Sequence, residues 1–120
     1  MYFEFPAQLR QGATWSPTVD VCERADEIVI FVEMPGVQRS DVQLAWNDGL
    51  LTISGVKRQM PPDYGTARYL CVERTYGQFC REIEINIPVD YNQAKAELKD
   101  GLMKIHLPKA RSQTVDIPIL

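Results

Sequence analysis

His106 is the single histidine of the chain, so a Ser-His-Asp or Cys-His arrangement would have to be built on it. It alternates with Ile105 and Leu107 and shares the polar parity of Lys104, which is the setting of a surface strand residue. Cys22, Cys71 and Cys80 are the three cysteines. Their spacing lacks the Cys-x-x-Cys element of a structural zinc site, and an odd number does not make a disulfide framework. Cys71 and Cys80 read first as small apolar packing groups, since a thiol is among the most buried side chains. The glycines are scattered singly, and no Gly-x-x-x-x-Gly-Lys phosphate loop occurs. No catalytic constellation, metal site or cofactor site is expected, and the chemistry left is binding.

The residues that bind most conspicuously by type are at the C-terminal end. Ile117-Pro118-Ile119 is pre-set to be extended, because proline fixes its own φ and the flanking isoleucines are β-branched. Both isoleucines can face one way while proline limits ladder hydrogen bonds. A polar tether, Lys109 to Gln113, separates this apolar peg from the last predicted strand. Two readings stand: a peg for a groove on another subunit, or a final edge strand on its own domain. At the other end Tyr2, Phe3 and Phe5 form an aromatic arm. It suits contact with exposed apolar surface of non-native clients, and equally a frayed end or one packed on a neighbour.

Composition narrows the partners. The 120 residues are 45% hydrophobic and 24% charged with net charge -3, ordinary for one globular domain. No basic block offers the clustered cations that phosphate neutralisation needs, so nucleic acid is not an expected partner. No apolar run approaches the roughly 18 residues that cross a bilayer, and no signal peptide is visible. With the unpaired cysteine count, a reducing cytoplasm is the expected compartment.

The elements that must position these residues show period two from Trp15 onward, the mark of strands. Val19 and Val21 alternate with Thr18 and Asp20. Ile28, Ile30 and Val32 share a face before Met34-Pro35-Gly36. Val42, Leu44 and Trp46 alternate with Gln43 and Ala45, and Asp48-Gly49 then turns the chain into Leu51 and Ile53. Lys57 to Thr66, with Pro61-Pro62 and Gly65, reads as a loop. Tyr69 to Glu73 reads as a short strand and Gln78 to Ile87 as a longer one, with Ile83, Ile85 and Ile87 on one face. Ala94, Ala96 and Leu98 alternate with Lys95 and Glu97, and Asp100-Gly101 leads into Met103, Ile105 and Leu107. No helical period is sustained. The predicted fold is all-β, an immunoglobulin-like two-sheet antiparallel sandwich. A short arm (1–14), a sandwich (15–109) and a C-terminal extension (110–120) divide the chain.

These residues resemble the small heat shock proteins, whose shared module is the α-crystallin domain, in its bacterial and plant form. The resemblance runs from Trp15-Ser16-Pro17 and Val19-Asp20-Val21 through Met34-Pro35-Gly36-Val37 and Asp48-Gly49-Leu50-Leu51-Thr52-Ile53-Ser54-Gly55. It continues with Glu73-Arg74-Thr75-Tyr76-Gly77-Gln78-Phe79, Ala96-Glu97-Leu98-Lys99-Asp100-Gly101-Leu102 and Leu107-Pro108-Lys109. Ile117-Pro118-Ile119 matches the family's Ile-x-Ile motif.

The resemblance implies an ATP-independent holdase that keeps partly unfolded proteins from aggregating. It implies a homodimer as building block and a higher oligomer above it. In such proteins a short strand is exchanged between partners and pairs with the partner's first strand; here that is Tyr69, Leu70, Cys71, Val72 and Glu73. An exchanged Cys71 invites an intersubunit disulfide or an oxidant response, beside the packing reading. The Ile-x-Ile segment docks between the strands over 42–46 and 94–98, giving Val42, Leu44, Ala94, Ala96 and Leu98 as groove residues. Arg81 falls where the family often has an arginine near the dimer interface. About 14 residues precede Trp15, a short arm for the family, and modest client capacity is expected. The rival reading is a CS-domain-like co-chaperone or interaction module, which shares the sandwich but needs no Ile-x-Ile peg.

Overall fold

Two Asp-Gly pairs fold the chain sharply back on itself. Asp48 and Gly49 have φ of 47° and 87°, and Asp100 and Gly101 have φ of 53° and 78°. Two successive positive φ values give the tight turn whose twist matches the strands it joins. The computed structural model describes residues 2–4, 12–59, 68–111 and 115–120. Its strands are β1 (Tyr2–Glu4), β2 (Val19–Glu23), β3 (Glu27–Glu33), β4 (Val42–Asn47), β5 (Leu50–Lys57), β6 (Gly77–Ile85), β7 (Lys95–Lys99) and β8 (Leu102–Pro108). One Asp-Gly turn joins β4 to β5 and the other β7 to β8. Short 3-10 turns lie at Arg39–Asp41 and Tyr91–Gln93.

The strands form two four-stranded sheets, ordered β1-β6-β5-β4 and β2-β3-β8-β7, with every ladder antiparallel. The all-β antiparallel sandwich expected from period two is the observed architecture. Register explains the core. Ile28 sits opposite Leu107, Ile30 opposite Ile105 and Val32 opposite Met103, so one face of β3 and β8 is wholly apolar. These pack against Leu51, Ile53, Phe79, Ile83 and Ile85 of the other sheet, all buried. Phe79 also receives the Trp15 ring, with centroids 4.9 Å apart. Trp15 Nε1 donates to the Gly77 carbonyl at 3.0 Å, which pins the lead-in of the sandwich to β6. Gly55, opposite Phe79, is a place of close approach: a Cβ there would overlap the Asp41 carbonyl and the Phe79 ring.

Tyr69 to Glu73, expected as a strand exchanged with a partner, is exposed coil in the single chain, since a strand exists only through a ladder. Three expectations about elements are corrected. The arm carries a strand: Tyr2, Phe3 and Glu4 pair with Ile85, Glu84 and Ile83. Ala94 precedes β7 rather than belonging to it. The longer strand stops at Ile85, with Ile87 beyond its end and packed on the core.

Candidate functional site

His106 is half-buried on the outer face of β8, and its Nδ1 lies 3.3 Å from Glu27 Oε2. Cys22 sits opposite Val29, which sits opposite His106, so thiol and imidazole are two strands apart, about 10 Å. That spacing excludes a Cys22–His106 dyad. Among the described residues no group of three or more His, Cys, Asp or Glu side chains could hold a metal ion. What the molecule presents instead is apolar surface in two places.

The first lies at the end of the β2-β3-β8-β7 sheet, where β2 is the outermost strand. Val19 and Val21 pair with Val32 and Ile30, while Asp20 and Cys22 pair with Phe31 and Val29. Val19 and Val21 therefore face the core, and Asp20 and Cys22 face outward. Lys109 Nζ lies 2.8 Å from Glu23 Oε2 and holds that carboxyl below the usual carboxylate range through its hydrogen bond. Arg81 has the parity of Phe79, Ile83 and Ile85, so it points between the sheets. Its Nη1 donates to the Pro17 carbonyl at 3.2 Å, and burial lowers its guanidinium pKa. The segment expected to be exchanged, Tyr69, Leu70, Cys71, Val72 and Glu73, is exposed throughout, with Leu70 87% and Val72 51% accessible. Tyr69, Cys71, Val72 and Tyr76 surround a small hollow of about 70 Å³ beside Lys57 and Arg58.

The second surface is a concavity of about 250 Å³ where β4 meets β7 across the open side of the sandwich. Leu44, Ala94 and Ala96 line it together, over a floor that includes Leu51, Ile105 and Leu107. Val42 and Leu98 do not line it; both are half-buried against the core. Trp46, Ala45, Lys95 and Tyr91 complete the wall. Trp46 was findable, since it shares parity with Leu44. Tyr91 sits in a 3-10 turn, outside any strand pattern.

The peg does not fill this groove from within. Ile117 and Ile119 are 84% and 99% accessible, and residues 115–120 form no strand. The reading of the tail as an edge strand on its own domain is thus not realised in the single chain. Its root is fixed, however: Lys109 N donates to the Asp26 carbonyl and Ala110 N to the Pro88 carbonyl, each at 2.9 Å. At the other end Tyr2 and Phe3 lie in β1, and Phe5 lies outside the described residues.

Comparison with known proteins places this geometry. The model of the Hsp20/alpha crystallin family matches residues 20–119. Heat shock protein 16 of Schizosaccharomyces pombe is 39% identical over 103 residues, covering 82% of this chain and 71% of that protein. Small heat shock protein C4 of Rickettsia felis is 35% identical over 94 residues, covering 78% of this chain and 57% of the relative. Among solved structures, heat shock protein 16.0 of Schizosaccharomyces pombe superposes with a TM-score of 0.75 at 34% identity, over 88% of this chain and 97% of that one. A small heat-shock protein from Xylella fastidiosa, described as having a distinct high order structure, gives 0.75 at 27% identity, over 90% and 98%.

Proposed function

The chain belongs to the Hsp20/alpha crystallin family, and on that premise we propose that it is an ATP-independent holdase that binds partly unfolded proteins and prevents their aggregation. The family and its heat shock relatives support a chaperone role. One observation carries the finer reading: a sandwich with a fully packed core leaves Leu70, Val72, Val115, Ile117 and Ile119 more than half accessible. Apolar side chains held in water gain free energy when they meet other apolar surface. A peg and a groove of matching character on one chain suit self-assembly. Exposed segments of the same character suit capture of unfolded chains.

In this reading the building block is a homodimer in which Tyr69 to Glu73 of each protomer adds to the outer side of the partner's β2. Adding a strand there covers a sheet edge that is otherwise an aggregation hazard. Arg81, bonded to Pro17 at the foot of β2, sets a cation beside that interface. Ile117 and Ile119 dock in the Leu44, Ala94, Ala96 groove of a neighbouring subunit and build the higher oligomer. Tyr2, Phe3 and Phe5 add client contacts. The work is stoichiometric binding, without turnover or cofactor, in the cytoplasm. Among the described residues no helix is long and apolar enough to cross a membrane.

The test heats an aggregating client with increasing amounts of the protein and follows scattering. Protection is expected to rise in proportion to the protein and to be indifferent to ATP. Under reducing conditions a folded Cys22→Ser, Cys71→Ser, Cys80→Ser variant should protect equally. Protection at trace amounts, or its loss in that folded variant, overturns the holdase reading.

A further inference from the structure

We propose that Cys22 of one protomer and Cys71 of its partner form an intersubunit disulfide that locks the dimer under oxidising conditions. This rests on the strand-exchange reading above. Cys22 lies on β2 and Cys71 at the centre of the segment that would add to it, and both thiols are exposed, whereas Cys80 is buried. The two elements that the dimer joins therefore carry the two accessible thiols of the chain.

Side-chain parity places them on the same face. Val19 and Val21 of β2 point into the sandwich, opposite Val32 and Ile30, both at 0% exposure. Asp20 and Cys22 point outward. In the incoming segment Leu70 and Val72 alternate with Tyr69, Cys71 and Glu73. A strand added to β2 continues the sheet, so its apolar pair belongs on the core side, above Val19 and Val21. A slip of one residue would turn Leu70 and Val72 to water. With that parity Cys71 must emerge on the outward face, opposite either Cys22 or Asp20. Opposite Cys22, the two Cβ atoms stand about 4.5–5.5 Å apart, close to the roughly 3.5–4.5 Å a disulfide spans. Opposite Asp20, Cys71 is diagonal to Cys22, and at about 7–8 Å no bridge closes. The register proposed is the one opposite Cys22, and peptide mapping of the bridge tests it.

The oxidant is a peroxide such as hydrogen peroxide. The thiolate of one cysteine attacks a peroxide oxygen, the O–O bond breaks, and a sulfenic acid forms with loss of one water. The second thiol attacks the sulfenic sulfur, a second water leaves, and the S–S bond closes. Two thiols have lost two electrons and two protons to one peroxide. A dithiol reductant reverses the bridge by thiol–disulfide exchange. While the bridge stands, the exchanged segment cannot leave β2, so protomers cease to swap between dimers.

The experiment uses the full chain. Sedimentation in reducing buffer first establishes a dimer or an assembly of dimers. Dilute hydrogen peroxide is then added and the sample run on a denaturing gel without reductant, with peptide mapping of the bridged species. The expected result is a band at twice the chain mass whose bridge maps to Cys22 and Cys71. Cys22→Ser and Cys71→Ser should each abolish the band, and Cys80→Ser should retain it. Mixing the Cys22→Ser protein with the Cys71→Ser protein should restore it, because each hybrid dimer holds one complete pair. A dimer in reducing buffer that never cross-links overturns the disulfide and leaves strand exchange standing. A bridge within one chain, or a band that survives Cys71→Ser, overturns it also. A monomer in reducing buffer overturns strand exchange and the disulfide together.

Discussion

Arg58 closes a two-pronged fork on Asp41, Nε to Oδ2 at 2.9 Å and Nη2 to Oδ1 at 3.0 Å. Asp41 stands just before β4 and Arg58 just after β5, so the pair ties the two ends of this hairpin at the point where the chain leaves β5.

The pair predicts a pH signature. Hydrogen bonding from Arg58 holds the Asp41 carboxyl below its usual range. A lowered folded-state pKa means a contribution that is complete above the unfolded value, about 3.9, and lost as pH falls through the folded one. Arg58→Ala should therefore lower the urea midpoint by a constant, small amount from pH 7 to 5. The gap from wild type should close as the pH is taken well below 4. A gap that widened in acid would contradict the assignment.

Gly55 predicts a packing effect. A Cβ there must displace the Asp41 carbonyl or the Phe79 ring, and overpacking of this kind costs about 1–3 kcal/mol. Gly55→Ala should show that loss in denaturant unfolding. Phe79→Ala, which empties a site with 2% exposure, should cost more, about 3–5 kcal/mol.

The groove and peg predict assembly. Burying each isoleucine of the tail contributes about 1.5–3 kcal/mol. Replacing Ile117 and Ile119 by Ala should shrink the particle toward dimers in light scattering while the unfolding midpoint stays unchanged. Ala96→Arg, which places a long cation in the groove from an exposed position, should do the same. An undiminished mass for either variant, from a wild type larger than a dimer, would place the contact elsewhere.

Removal of residues 58–74 predicts a monomer. The described residues of this segment, 58–59 and 68–74, make no ladder within their own chain, so its loss should spare the two sheets. Circular dichroism should keep its β signature while sedimentation halves the mass of the building block. Persistence of the same dimer would move the interface off β2.

How much of this was legible depended on how local each signal is. The faces of β3, β5 and β8 follow from alternation, since Ile28, Ile30, Ile53 and Ile105 report burial at their own positions. Asp48-Gly49 and Asp100-Gly101 are equally local. The pairing of β1 with β6 was not readable: Tyr2–Glu4 is a strand only because Ile83–Ile85 lies beside it, some 80 residues away. Tyr69 to Glu73 has strand composition without a ladder in its own chain, so composition alone could not say where it pairs. Arg81 teaches a third lesson. Parity with Ile83 turns it inward, a reading available from alternation, whereas its place near an interface came from the resemblance alone. Three of the ten groove residues, Leu44, Ala94 and Ala96, were named from the resemblance; Tyr91 was hidden because a 3-10 turn has no two-residue period.

The fixed root of the tail has a metric consequence. Ala110 is anchored to Pro88, and Ile117 lies seven positions further on. At about 3.3–3.6 Å per residue, a fully stretched leash spans roughly 25 Å at most. Any groove that receives the peg must therefore open within that radius of the anchor. Within it, one tail faces a neighbour's groove at a local concentration fixed by chain length rather than by bulk dilution. The number of residues between Ala110 and Ile117 thus acts as a ruler. It would set which subunit spacings an assembly joined through this peg could adopt.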